Sequence, residues 1–286
     1  MKILHYRRIV HCRFKGLLAG VVWWILGNLE ALAQYSIAPS AITITYPERH
    51  SEIIVRMMED APTMVFSVSS FFAVPEPDSS GQFTLVTVDS TLVQNIATGI
   101  RFSPRRFQLS AGQEQVIRIS VQDAATLADG EYWSRVMISA VTPPAQSDPL
   151  QQTVRISMGL EVRTITGLIF RKGAVQTGLV VTEVATRLEE NTLWTRLHLN
   201  KKGNAAWIGT LEQELSNTKG EVILRERSLS HVYRDRWDRL KLVLPSLPPD
   251  TYTLKIRYLT EREDPMIKLL KIPPVVYTIN LPIGLP

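Results

Sequence analysis

The chain has 286 residues, 45% of them hydrophobic and 21% charged, with a formal charge of +5 and one cysteine. Five of its 32 basic residues and one of its 27 acidic residues fall within residues 1–33, leaving 27 basic and 26 acidic side chains, about +1, beyond them. A near-neutral remainder excludes a general electrostatic affinity for nucleic acid or anionic membranes, and a remainder without cysteine has to be stabilised by apolar burial alone.

Lys2, Arg7, Arg8, Arg13 and Lys15 precede an apolar run from Gly16 to Gly27, and Ala31-Leu32-Ala33 comes just before Gln34. A basic segment, a short apolar core and small residues at a cleavage site make a secretory signal peptide over 1–33. The run falls short of the ~20 apolar residues that span a bilayer; an uncleaved anchor is the alternative. Cys12 lies within the basic segment, not where a lipidated cysteine would follow cleavage. No later stretch has the pattern of a transmembrane helix, so no stable membrane insertion is expected after cleavage.

The remaining length of about 250 residues suffices for one large domain or two ordinary ones. Ile37 to Tyr46, Glu52 to Glu59, and the alternating Met64, Phe66 and Val68 read as strands, and Glu76-Pro77-Asp78-Ser79-Ser80-Gly81 as a turn or loop. Phe83 to Val88, Val116 to Val121 and Tyr132 to Val141 continue the pattern. No amphipathic helix is evident, and short strands between turns predict an all-β sandwich.

The chain echoes itself. Leu127-Ala128-Asp129-Gly130-Glu131-Tyr132 leads into one alternating strand, and Leu247-Pro248-Pro249-Asp250-Thr251-Tyr252 into another. A Tyr so placed matches the tyrosine corner of immunoglobulin-like sandwiches, and one corner per domain implies two in tandem. The expected units are 34–166 and 167–286, divided near Thr166-Gly167. Seven strands are expected in the second: Gly178 to Leu188, Thr192 to Leu199, Ala206 to Leu215, Glu221 to Arg227, Leu240 to Leu244, Tyr252 to Leu259 and Val275 to Ile283.

No enzyme is evident. Beyond residue 33 the histidines are His50, His198 and His231, none in a metal-ligand spacing, and there is no nucleophile elbow, phosphate loop or thiol. No catalytic residue, cofactor or metal site is expected. Arg225 to Lys241 is rich in charge around Trp237; it reads either as an anion-binding patch or, more plainly, as a solvated loop. Trp133, Trp194 and Trp207 read as packing residues, with a sugar platform as the rival.

The most informative stretch is Val154, Ile156, Met158, Leu160 and Val162, separated by Arg155, Ser157, Gly159 and Glu161. Period-two alternation of this length is a long strand with one apolar face. It either closes its own sandwich or lends its edge to a partner.

The order of motifs from about Ser36 to Arg171 resembles the periplasmic chaperones of pilus and fimbria assembly. The segment from Ser36 to Ile44 is similar to that family's first strand, and Ala61 to Phe66 to the entry of its third. From Ile100 to Ile119 run a Pro turn, Leu109, the Gly112 turn and the triplet Ile117-Arg118-Ile119, as in the family; Thr142-Pro143-Pro144 is similar to the close of its next strand. The resemblance implies a periplasmic chaperone that caps secreted pilin-like subunits by donating Val154, Ile156, Met158, Leu160 and Val162, and delivers them to an outer-membrane assembly platform. The family also holds the subunit's C-terminal carboxylate with two basic residues. Here the first-strand position is Ala41, which cannot do so, and Arg163 matches the second; Arg155 and Arg171 are substitutes. The rival is a structural or adhesive sandwich of a surface assembly whose strand is internally covered. A carbohydrate-binding module would need an exposed aromatic row.

Overall fold

The computed structural model describes residues 34–78, 80–87, 94–143, 160–262 and 267–283. The proposed signal peptide and the strand residues Val154, Ile156 and Met158 lie outside them, as does Arg155. The described chain is strand throughout apart from turns and one short 3-10 segment at Ala97–Gly99.

In the first unit the expected opening strand is two. β1 (Tyr35–Ala38) and β2 (Ala41–Thr45) are separated at Pro39, which has no N–H for a ladder, and they join opposite sheets. β3 (His50–Met57) and β4 (Met64–Phe71) follow as expected. A hairpin of β5 (Val74–Pro77) and β6 (Phe83–Val86) comes next; its turn is held by Asp78, whose Oδ1 accepts from the Ser80 and Gln82 N–H groups. β7 (Ile100–Ser103), β8 (Arg106–Leu109), β9 (Glu114–Val121), β10 (Gly130–Val141) and β11 (Glu161–Lys172) complete the unit. Sheet β1-β3-β9-β7 packs on sheet β2-β11-β10-β4-β8. Ile53, Val55, Ile117 and Ile119 of one meet Phe66, Val136, Ile138, Leu168 and Phe170 of the other, all essentially without exposure. Each such side chain contributes about 1.5–3 kcal/mol relative to exposure.

All seven strands expected in the second unit are present: β12 (Thr177–Glu189), β13 (Thr192–Gly203), β14 (Trp207–Ser216), β15 (Val222–Val232), β16 (Arg236–Val243), β17 (Asp250–Leu259) and β18 (Val275–Ile283). Sheet β12-β13-β16 packs on β15-β14-β17-β18 around Leu197, Leu199, Trp207, Leu215, Leu254 and Ile256. Gly203 ends β13 at φ +80°, and a Cβ there would lie 2.3 Å from the Gln176 carbonyl oxygen.

Both tyrosine corners form. Tyr132 Oη donates to the Ala128 carbonyl at 2.9 Å, and Tyr252 Oη to the Pro248 carbonyl at 2.8 Å. The sandwich pair is therefore immunoglobulin-like in its corners as well as its layers.

Two expectations need correction. Arg225 to Lys241 is not a loop: it is most of β15, a short turn and most of β16. The expected boundary at Thr166-Gly167 falls inside β11, because Leu168 and Phe170 belong to the first core and residues 167–171 pair with β2.

The units are joined by more than a linker. Phe72, Val74, Trp133 and Ile169 of the first cluster with Ala206, Ile208 and Tyr233 of the second. Arg234 donates through Nε and Nη2 to the two carboxylate oxygens of Glu76 on the hairpin, and Arg236 lies over the Phe83 ring.

Candidate functional site

β11 pairs with β10 along its whole length, from Val141↔Glu161 to Gly130↔Lys172. On its other side β2 runs parallel to it, but only from Gly167↔Ala41 to Arg171↔Thr45. From Glu161 to Thr166, that side of the strand has no ladder partner among the described residues. A partly unpaired backbone edge is a template for another strand.

The side chains along this edge grade from core to water. Phe170 and Leu168 are buried, as is Thr166. Thr164 is half-buried and meets Tyr35 Oη at 3.1 Å, which bridges the sheets at the mouth of the sandwich. Tyr35 is held in turn edge-on against Phe66, with centroids 5.3 Å apart. Val162 is 36% exposed and Leu160 62% exposed. The β11 residues in this series are even-numbered, so Val162 continues the face that carries the core, and Leu160, just before the strand, has the same parity. On the other face Ile165 and the neighbouring Val141 and Val65 are also exposed.

The basic residues fall in three environments. Arg163 is on the surface and makes two bonds of 2.9 Å to the Glu161 carboxylate, which Arg163 holds below its ordinary pKa. Arg171 is buried beside Glu131, 2.8 Å away, and donates to the Lys268 carbonyl of the second unit. Arg135 lies against Gly167, where a Cβ would stand 2.8 Å from its Nη1; it donates to the Ala73 carbonyl and to Tyr233 Oη. Arg135 escaped sequence reading because only the β10–β11 register brings it beside Gly167, next to Ala41.

The fold is similar to chaperones of fimbrial assembly. The structure of the YadV chaperone matches at TM-score 0.47 and 9% identity, covering 87% of this chain and 100% of that one. The SafB chaperone with the SafA pilin from Salmonella enterica matches at 0.43 and 16%, covering 87% and 97%. A chaperone–tip adhesin complex of the Csu pili of Acinetobacter baumannii, CsuC–CsuE, matches at 0.43 and 12%, covering 86% and 98%. No protein-family model and no curated protein sequence matches the chain.

Among the described residues no group of three or more His, Cys, Asp or Glu side chains could hold a metal ion, and no helix is long and apolar enough to cross a membrane. Trp133 and Trp207 are buried, so with Trp194 they make no exposed aromatic row.

Proposed function

We propose that the protein is a periplasmic chaperone that caps secreted pilin-like subunits by lending them the unpaired edge of β11, for delivery to an outer-membrane assembly platform. The observation that carries this reading is the edge at residues 161–166, unpaired on one side among the described residues, with exposed Val162 on the core-bearing face of the strand and exposed Leu160 just before it. A subunit lacking a strand gains a ladder of backbone bonds there, while alternate side chains fill its groove. Val154, Ile156 and Met158 share this parity and would extend the apolar row. The chemistry is association; no residue acts as a catalyst and no cofactor is required.

Arg163 is the proposed anchor for the subunit's C-terminal carboxylate. It would have to exchange Glu161 for that carboxylate, a substitution of like for like in an exposed, two-pronged pair. Removal of residues 1–33 on export would place the chain in the periplasm.

The test is affinity capture from the native envelope with the wild type and with Leu160→Asp/Val162→Asp. Both positions are exposed, so the variant keeps its fold, which is checked by its urea midpoint. A secreted subunit captured by the wild type and lost with the folded variant supports strand lending. Equal capture by both assigns binding to another surface and favours the structural or adhesive module.

A further inference from the structure

The outward face of sheet β12-β13-β16 carries an organised set of cations. Outward residues alternate along β13 as Trp194, Arg196 and His198, and along β16 as Trp237, Arg239 and Lys241. The register sets Arg196 opposite Arg239 and Trp194 opposite Lys241. Diagonal stacking follows: the Arg196 guanidinium lies 4.0 Å from the Trp237 ring centroid, and that of Arg239 lies 4.2 Å from Trp194. Both are well inside the ~6 Å reach of a cation–π contact.

Arginine normally loses side-chain freedom when it binds; one already laid on an indole has lost much of it. Among the described residues no carboxylate lies within 4.0 Å of Arg196, Arg239 or Lys241. Asp238, between Trp237 and Arg239 in sequence, points inward and is bound by Arg236. Arg187 on β12 is paired with Glu189 at 3.0 Å. A groove of about 530 Å³ runs over this face.

The indoles are engaged by guanidinium, and Trp237 is also met by the His198 ring at 4.8 Å, so the rings are poor platforms for a sugar. Guanidinium edges are what the face offers, and these take carboxylates in pairs. Arg239 and Lys241 are neighbours on one side of a strand, a repeat of about 6.6–6.8 Å. An extended peptide with an acid at every second position has the same repeat.

We propose that this face of the second unit docks an extended acidic peptide segment, through Arg196, Arg239 and Lys241, with Trp194 and Trp237 holding the arginines in place. The site is separate from β11 and does not depend on strand lending.

The test is calorimetric titration of the purified protein with two synthetic octapeptides of equal charge and composition. In the first, glutamate and threonine alternate; in the second, a block of four glutamates precedes a block of four threonines. One alternating peptide should bind per chain, more tightly than the block peptide. Arg196→Gln/Arg239→Gln should weaken binding at least tenfold. Trp194→Leu/Trp237→Leu, which keeps every charge, should weaken it severalfold. Arg118→Gln/Lys219→Gln, the same charge change at exposed sites elsewhere, should leave it unchanged. Folding of each variant is checked by its urea midpoint; if the Trp variant unfolds, the Arg pair and its charge-matched control decide. The proposal is overturned if the alternating peptide fails to bind, if the block peptide binds as well, or if a folded Trp variant binds like wild type. Binding of heparin or phosphatidylglycerol vesicles without binding of the peptide would overturn it too.

Discussion

Glu131 and Arg171 face each other across the β10–β11 ladder, 2.8 Å from carboxylate to guanidinium, and each also reaches the second unit. Glu131 Oε1 accepts from the Ala206 N–H and from Trp133 Nε1; Arg171 Nη1 donates to the Lys268 carbonyl. Both side chains are almost wholly buried. A pair of this kind costs far more to break than to replace.

Arg171→Met should therefore lower unfolding stability by about 3–5 kcal/mol, because Glu131 is left charged and buried. Glu131→Gln/Arg171→Met should recover much of that loss. Urea unfolding of the single and double variants measures both; additive losses would show that the two residues do not act as a pair.

One strand should give two opposite mutational signatures. Leu168→Ala, in the first core, should cost about 2–5 kcal/mol. Val162→Ala, six residues earlier on the same face and 36% exposed, should change stability by less than about 1 kcal/mol yet weaken subunit capture. A large stability loss at Val162 would mean that the edge is covered in solution.

The tyrosine corners predict matched, separate effects. Tyr132→Phe and Tyr252→Phe each remove one side-chain bond to a carbonyl and nothing else. Each should cost about 0.5–1.5 kcal/mol, and the double variant about the sum, since the bonds lie in different units.

Asp238 supplies a pH test. Burial raises its carboxyl pKa above the usual 3.8, against the pull of Arg236. A raised pKa means that the folded chain keeps a proton the unfolded chain has released. The contribution of this group to stability is thus highest below the ordinary carboxylate value and declines as pH rises through the raised value. Asp238→Asn removes that slope. The difference in urea midpoint between wild type and variant should change across this interval and be flat above it; a constant difference would refute the assignment.

Much of the fold was legible because it rests on period-two alternation and turn chemistry. Leu193, Leu197 and Leu199 on β13, and Leu240 and Leu242 on β16, announce buried faces without reference to the rest of the chain. The corner tyrosines were legible for the same local reason. The division at Pro39 is encoded in a missing N–H, but which sheet each half joins is not. The end of β11 is misplaced because the boundary is set just after the alternating stretch that ends at Val162, whereas the strand runs on to Lys172 and Gly167 is the position where Arg135 comes close. At the site, the exposure of Leu160 and Val162 depends on where β2 stops pairing, and no local pattern encodes that. The stacked arginines were hidden for a similar reason: Arg196 and Trp237 are distant in sequence, and only strand register brings them together.

The β5–β6 hairpin bears on how this chain can be dissected. It belongs to the first sandwich by sequence, but Glu76 and Phe83 are engaged by Arg234 and Arg236 of the second. Cut at Gly173, the polypeptide would yield two fragments with raw seams: Phe72, Val74, Trp133 and Ile169 on one, Ala206, Ile208 and Tyr233 on the other. The sandwiches are not interchangeable beads on a string. Neither half should be a trustworthy reagent by itself, and a chimera made by exchanging one of them would inherit a mismatched seam.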